Sequence, residues 1–414
     1  MNERLKVGIV ERDITPGTLF TNWVTGEIYP GVRDPLKFHV TVIGDGEDWV
    51  VLGAFDVLEI RKSFTGYIRQ QIREKYGILE ERVLLNASHS HSAPRCPYGD
   101  KEIGKKLFAK KFAKFSKEEA YWDWAAKVVE EFIAAVGEAL EKAKPAGGNI
   151  RRIFAGDYVF NRRPLGADGE TITQFTPQNR YALGAGARYG NTDKGLVCLQ
   201  FLSGDEVLGS FLSLACHTVA IYPKDARVSA DWAGALRDQV VQREGGIATF
   251  FQGCAGDQVP MQRGAEIAQE MSETLGERLE QSKELAHPLD LSGIWSGVTE
   301  LGLPIGVGQY ENLHGKRCEM TEVQVVRIGE VVIVALPGEI LIDVGLEIQR
   351  RSPFSHTICL GYSNSHGTGY CGLPHEFARG GYEVQESVAL GAPECGQILI
   401  EAAVRLLYDA MDAF

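Results

Sequence analysis

The stretch HVTVIGDGEDWVVLGAFDVLEIRKSFTGYIRQQIREKYGILEERVLLNAS (39–88) decides the fold class. HVTVIG (39–44) and VVLGAFDVLEI (50–60) are apolar, β-branched runs of strand length. GDGED (44–48) between them is a turn, because glycine and aspartate tolerate its backbone angles. SFTGYIRQQIREKYG (63–77) reads as a helix and RVLLNAS (82–88) as a third strand. Strand, helix, strand implies a sheet covered by a helical layer.

The same pattern continues outward. WDWAAKVVEEFIAAVGEALEKAK (122–144) has apolar residues at helical spacing, a capping box in Ser116 and Glu119, and a stop at Pro145. Further strands are expected at 195–202, 207–216, 247–253, 321–329 and 330–338, and helices at 231–244 and 265–285. The region 155–190 is a long loop of the kind that carries binding groups. No repeat, low-complexity tract or interdomain linker interrupts the chain. The expectation is one catalytic domain over residues 1–414, of the α/β or α+β class, with a mixed β-sheet core flanked by helices.

With 44% apolar and 24% charged residues the chain has the balance of a globular protein. Forty-three basic against fifty-five acidic side chains leave a net charge of -12, and no basic cluster interleaves with aromatics, which argues against nucleic acid as a partner. The basic segment KEIGKKLFAKKFAKFSK (101–117) reads as a solvated helix face or loop, with a substrate or membrane role as the alternative. The first residues lack a long apolar stretch, and no run of about eighteen uncharged apolar residues occurs, so a cytoplasmic location without stable membrane association is expected. Eight cysteines, at 96, 198, 216, 254, 318, 359, 371 and 395, show no CxxC spacing and read as buried thiols.

The candidate chemistry lies where apolar runs end. LLNASHSHSAP (84–94) puts His89 and His91 two apart after a strand; if the backbone stays extended, both face one way. Hydrogen-bonded structure or simple exposure are the alternatives for this pair. His217 follows FLSLAC, and Glu339 follows VALPG. Each has an ordinary reading, as a core-edge histidine and a helix cap. Together they supply two nitrogens and one oxygen, a donor set that suits catalytic zinc. Each follows a strand-like run, so a sheet could bring the strand ends to one cleft.

Nine separated segments carry a resemblance: GIVERDITP (8–16), FDVLEI (55–60), SHSHSAP (88–94), FNRRP (160–164), SLACHTVA (213–220), VSADWAG (228–234), QGCAGDQVP (252–260), LPGE (336–339) and YCGLPHEFARGGYE (370–383). In this order the chain is similar to the catalytic domain of the neutral/alkaline ceramidase family. The resemblance implies a zinc-dependent hydrolase of N-acyl bonds, with Zn2+ held by His89, His217, Glu339 and Tyr370. It places His91 as the second, active-site histidine, Tyr382 at the reacting carbonyl, and Arg162 along the site. Tyr370 and Tyr382 also have plain packing or hydrogen-bonding readings. Arg162, next to Arg163, has a surface or phosphate-binding alternative.

One position departs from the family pattern: AGDQVP (255–260) puts Val259 where the family has a serine. Valine offers no hydroxyl, which counts against ceramide as substrate, while Asp257 is retained and reads as structural. The family's additional β-rich domain would follow LLYDAMDAF (406–414), where this chain ends. The expected substrate is therefore a small soluble N-acylated metabolite, hydrolysed at its amide. Ester or lactone hydrolysis is the second reading, and a non-enzymatic metabolite-binding protein of the same fold the third.

Overall fold

The alternating apolar strands 37–44 and 49–55 form the centre of the first of three sheets. The computed structural model describes residues 5–22, 26–46, 48–96, 119–175, 186–309 and 315–413. In the first sheet β1 (Lys6–Asp13), β2 (Lys37–Gly44) and β3 (Trp49–Phe55) pair antiparallel, β4 (Val83–Ala87) joins β3 in parallel, and β5 (Lys144–Pro145) edges β1. The parallel step requires a crossover, supplied by helix α1 (Lys62–Tyr76), which ends at Gly77 with φ 71°. Helix α2 (Glu119–Lys142) crosses the same face. Its close approach needs two glycines: a Cβ on Gly53 would stand 2.7 Å from Phe132, and one on Gly8 would strike the carbonyl oxygen of Ala139. Phe132 packs on Phe38 and Phe55 in that layer.

The second sheet has the order β10-β9-β8-β6-β12, from β6 (Gly147–Phe154), β8 (Gly195–Ser203), β9 (Glu206–Leu214), β10 (Ile247–Gln252) and β12 (His287–Leu289). Helix α3 (Asp231–Glu244) makes its one parallel crossover, β9 to β10, and packs with α4 (Ala265–Gln281). β7 (Val159–Asn161) pairs with β11 (Gln258–Pro260). The third sheet runs β13 (Ile294–Pro304), β14 (Cys318–Ile328), β15 (Val331–Ala335) and β17 (His356–Leu360). Here α5 (Ile342–Arg351) carries the parallel crossover, and α7 (Cys395–Asp412) covers β13 and β14. Short β16 (Glu339–Ile340) lies parallel to β18 (Tyr370–Cys371), which leads into α6 (Pro374–Ala378). Leu52, Leu199, Phe211, Ile333 and Leu360 belong to one buried cluster that draws on all three sheets.

The mixed α/β class is as expected from sequence, with three corrections. The core is three sheets rather than one. The predicted strand 50–60 stops at Phe55, because Asp56 turns its carboxylate to a buried bidentate pair with Arg237 (2.9 and 2.6 Å) and accepts the Lys37 N–H, which ends the ladder. Seven cysteines are buried free thiols, but Cys318 is exposed at the start of β14. The basic segment 101–117 and the capping residue Ser116 lie outside the described residues. Among the described residues no helix is long and apolar enough to cross a membrane.

Two buried carboxamides join the sheets where the site forms. Asn86, in β4, donates to the carbonyl of Gly361 (2.8 Å) beyond β17, and its Oδ1 accepts the N–H of Gln252 (2.8 Å) at the end of β10. The Gln252 side chain in turn donates to the carbonyls of Ser88 (3.1 Å) and Cys216 (2.8 Å), each one residue before a histidine. We expect Gln252→Leu to cost about 2–3 kcal/mol by stranding these buried groups. A metal ion held by the two histidines that follow should also bind about 10- to 100-fold more weakly, as where other groups that orient ligands are removed. Denaturant melts and metal titration of the variant check both.

Candidate metal centre

Two residues beyond β4, His89 takes φ 61°, a left-handed conformation that costs a non-glycine residue energy and recurs at functional sites. The extended backbone expected from the HxH spacing is therefore not what aims these rings. His89 Nδ1 lies 2.6 Å from the carbonyl oxygen of Leu58. A carbonyl only accepts, so Nδ1 carries the proton and Nε2 presents its lone pair. His217, fully buried after β9, repeats the arrangement with Nδ1 2.5 Å from the carbonyl of Ala255. Glu339 leaves the tight turn at Gly338 (φ 87°), where a Cβ would meet the Gly369 carbonyl oxygen at 2.5 Å.

These three side chains converge. Glu339 Oε2 lies 3.3 Å from His89 Nε2 and 3.3 Å from His217 Nε2. Ligands about 2.0–2.1 Å from a tetrahedral zinc stand about 3.3 Å apart, so the spacing fits that ion. His217 Nε2 and Glu339 Oε2 are buried without a hydrogen bond, the state of donors shaped for a cation. Burial, reinforced by Arg162, lowers the His217 pKa to about 3 and leaves a neutral ligand. His91 Nε2 is 3.1 Å from His89 Nε2, and the ligand atoms of His89, His91 and His217 all lie within 4.8 Å of one another. Burial and the two neighbouring imidazoles keep the His91 pKa well below its ordinary value.

Tyr370, Arg162 and Tyr382 pack against one another, with Tyr370 beside Glu339. Tyr370 is the register partner of Glu339 in the β16–β18 pair, and its hydroxyl accepts from Arg162 Nη2 at 2.9 Å. Arg162 is buried, not a surface arginine, and its Nε donates to Glu383 Oε1 at 2.6 Å. The same carboxylate takes Arg163 Nη1 at 2.5 Å. The guanidinium of Arg162 stacks near the rings of Tyr370, Tyr382 and Phe175, at 5.5–5.7 Å. Tyr382 is half-buried, its ring 5.8 Å from that of Tyr370. Asp257 is structural in contact: it accepts from Asn161, Gln258 and the first N–H of α5 at Ile342, all at 2.9 Å. Val259 is buried with Phe160 and Val219.

Sequence reasoning missed Glu383, Gln252, Asn86 and the Leu58 carbonyl. Glu383 adjoins Tyr382 in the quoted motif, but nothing local ties it to two arginines more than two hundred residues earlier. It also missed a second grouping, Asp343, His375 and Glu376, whose ligand atoms lie within 4.8 Å of one another. Asn191 occupies Asp343 Oδ1, and the Leu373 N–H occupies Glu376 Oε2.

The Leu58 carbonyl is anchored by its neighbour. Glu59 is buried, which would raise its pKa, but Arg61 (2.6 Å), Arg95 (2.9 Å) and His366 (3.2 Å) pull it from 4.5 to about 2. A depressed carboxylate stabilises the fold fully above its unfolded pKa, and this contribution is lost as pH falls from about 4.5 toward 2. The loss amounts to about 3 kcal/mol. Denaturant melts across that window should show Glu59→Gln lacking this share of the acid slope; an unchanged slope would refute the assignment.

No family model and no curated protein sequence matches this chain. Among solved structures, neutral ceramidase from Pseudomonas aeruginosa superposes with a TM-score of 0.74 at 16% identity, covering 99% of this chain and 75% of that one. A ceramidase complexed with C2 gives 0.72 at 16% identity, over 99% and 76%. An identity this low carries fold and not activity. With the three-sheet architecture and the His–His–Glu convergence described above, these superpositions establish that the chain shares the fold of neutral ceramidase.

Proposed function

We propose that the chain is a zinc-dependent hydrolase that cleaves the amide bond of a small N-acylated molecule. The observation that carries this reading is the pair of 3.3 Å approaches of His89 and His217 to one buried, unpartnered carboxylate oxygen of Glu339, beside Arg162 and Tyr382. Zinc bound by His89, His217 and Glu339, with Tyr370 completing the set, supplies Lewis-acid polarisation and acidified water.

The chain's own groups do the rest. The Tyr382 hydroxyl donates to the substrate carbonyl oxygen as negative charge develops there. Arg162, kept cationic by Tyr370 and Glu383 against the cost of burial, adds a fixed positive field. His91 rests neutral, which lets it take the proton released by the attacking water and pass it to the leaving nitrogen as the C–N bond breaks. Val259 supplies no hydroxyl, so nucleophilic serine chemistry is not available at that position.

The test is amine release from a panel of N-acyl compounds and matched esters by protein with measured zinc content. Amine release supports the reading. Ester cleavage alone would make it an esterase, and no turnover of either by zinc-loaded protein would overturn it.

A further inference from the structure

Three guanidinium groups stand near the site. Arg162 and Arg163 share one carboxylate, that of Glu383. A third guanidinium, Arg263, has no carboxylate in contact among the described residues. Its Nη1 donates to the carbonyl of Tyr222 (3.0 Å) and its Nη2 to that of Phe175 (2.8 Å), while its Nε is left without an acceptor. Asp231 acts on Arg263 electrostatically, but its two oxygens are taken up by the N–H groups of Ala220, Ile221 and Trp232.

Both segments that Arg263 holds belong to the site. The Tyr222 ring lies 5.8 Å from that of His91, and the Phe175 ring 4.9 Å from that of Tyr382 and under the Arg162 guanidinium. Arg263 therefore ties the Tyr222 segment to the Phe175 segment, with the Nη2 contact at the exposed end. Each Nη nitrogen keeps a second N–H, because a guanidinium has five donors in a planar fork. A partly desolvated cation paired only with neutral carbonyls gains from an anion, and a charge-assisted bond there is the strong kind.

We infer that the substrate is an anionic N-acyl compound, an N-acyl amino acid type with a free carboxylate that pairs with Arg263. This rests on the amide-hydrolase reading and names its substrate class. A single cationic fork suits a monoanion such as the carboxylate of an N-acyl amino acid.

The test compares an N-acyl amino acid with its carboxamide analogue, the amide to be cleaved being the same. On zinc-loaded wild-type protein the ratio of kcat/KM, carboxylate over carboxamide, should be at least about tenfold, and Arg263→Gln should collapse it by about 10- to 100-fold, mainly through KM. Arg263→Lys should restore part of the ratio. A merely structural role in holding the Tyr222 and Phe175 segments would lower both substrates together and leave the ratio standing. Calorimetric binding of the same two molecules to metal-stripped protein gives a second readout, free of carboxylate coordination to zinc. There too the carboxylate should bind more tightly, and Arg263→Gln should remove the difference. A ratio near one in the wild type, or one unchanged in Arg263→Gln, would overturn the inference. If neither compound is cleaved, the hydrolase reading fails, and the binding comparison still decides whether the site prefers the anion.

Discussion

His217→Ala should lose zinc and turnover together. The imidazole supplies one of two ring nitrogens around Glu339 Oε2, and alanine offers no donor in a position with no access to solvent. Removing a group that only orients a ligand costs about 10- to 100-fold in metal affinity, so removing the ligand itself should exceed about 100-fold. The fold should survive, because the backbone at this position is held independently: the His217 N–H donates to the Gln258 carbonyl at 2.9 Å, and its carbonyl accepts from Trp232 Nε1 at 2.9 Å. Metal content at limiting zinc, hydrolysis and circular dichroism are measured on one preparation. Full zinc occupancy with near-normal hydrolysis in His217→Ala would refute the site and reopen the assignment of Glu339 and Tyr370.

The second large effect is expected from Tyr382→Phe, which removes a single oxygen. The Tyr382 hydroxyl has no hydrogen-bond partner among the described residues, whereas the backbone N–H is tied to Thr173 (3.1 Å) and the ring is fixed by Phe175 and Arg162. Phenylalanine keeps the ring contacts, so stability should change by less than about 1 kcal/mol. An oxyanion donor is worth about 10²–10³ in kcat, and the loss should fall on kcat with KM little changed. Steady-state kinetics beside a denaturant melt separate the two quantities. A near-normal kcat would remove Tyr382 from the chemistry and leave the positive field of Arg162 as the remaining stabiliser of the carbonyl oxygen.

The legible part of this protein is what short-range pattern controls. Helix α3 covers 231–244 as read, α1, β2 and β4 lie within one to two residues of expectation, and the ends of β4, β9 and β15 were recognisable as apolar runs stopping before a histidine or a glutamate. Period and turn chemistry are carried by neighbours in the chain, so they survive without knowledge of the fold. The strand 50–60 was overextended for the same reason: Asp56 looks like one polar interruption until Arg237, 181 residues away, is seen to claim it. The site residues were legible only through their motifs, since a histidine or tyrosine alone is equally at home in packing.

What the sequence by itself determined is which segments become strands and helices, and which donor-bearing residues stand at their ends. What only the tertiary structure decided is that three different sheets present those ends to one point, through Asn86 reaching Gly361, Gln252 reaching both Ser88 and Cys216, and Glu383 holding Arg162 and Arg163. The physical reason is that each of these contacts satisfies a buried polar group with a partner 36 to 275 residues away. Such a partner has no local signature, because its choice is made by the requirement that every buried donor and acceptor be paired once the sheets have packed.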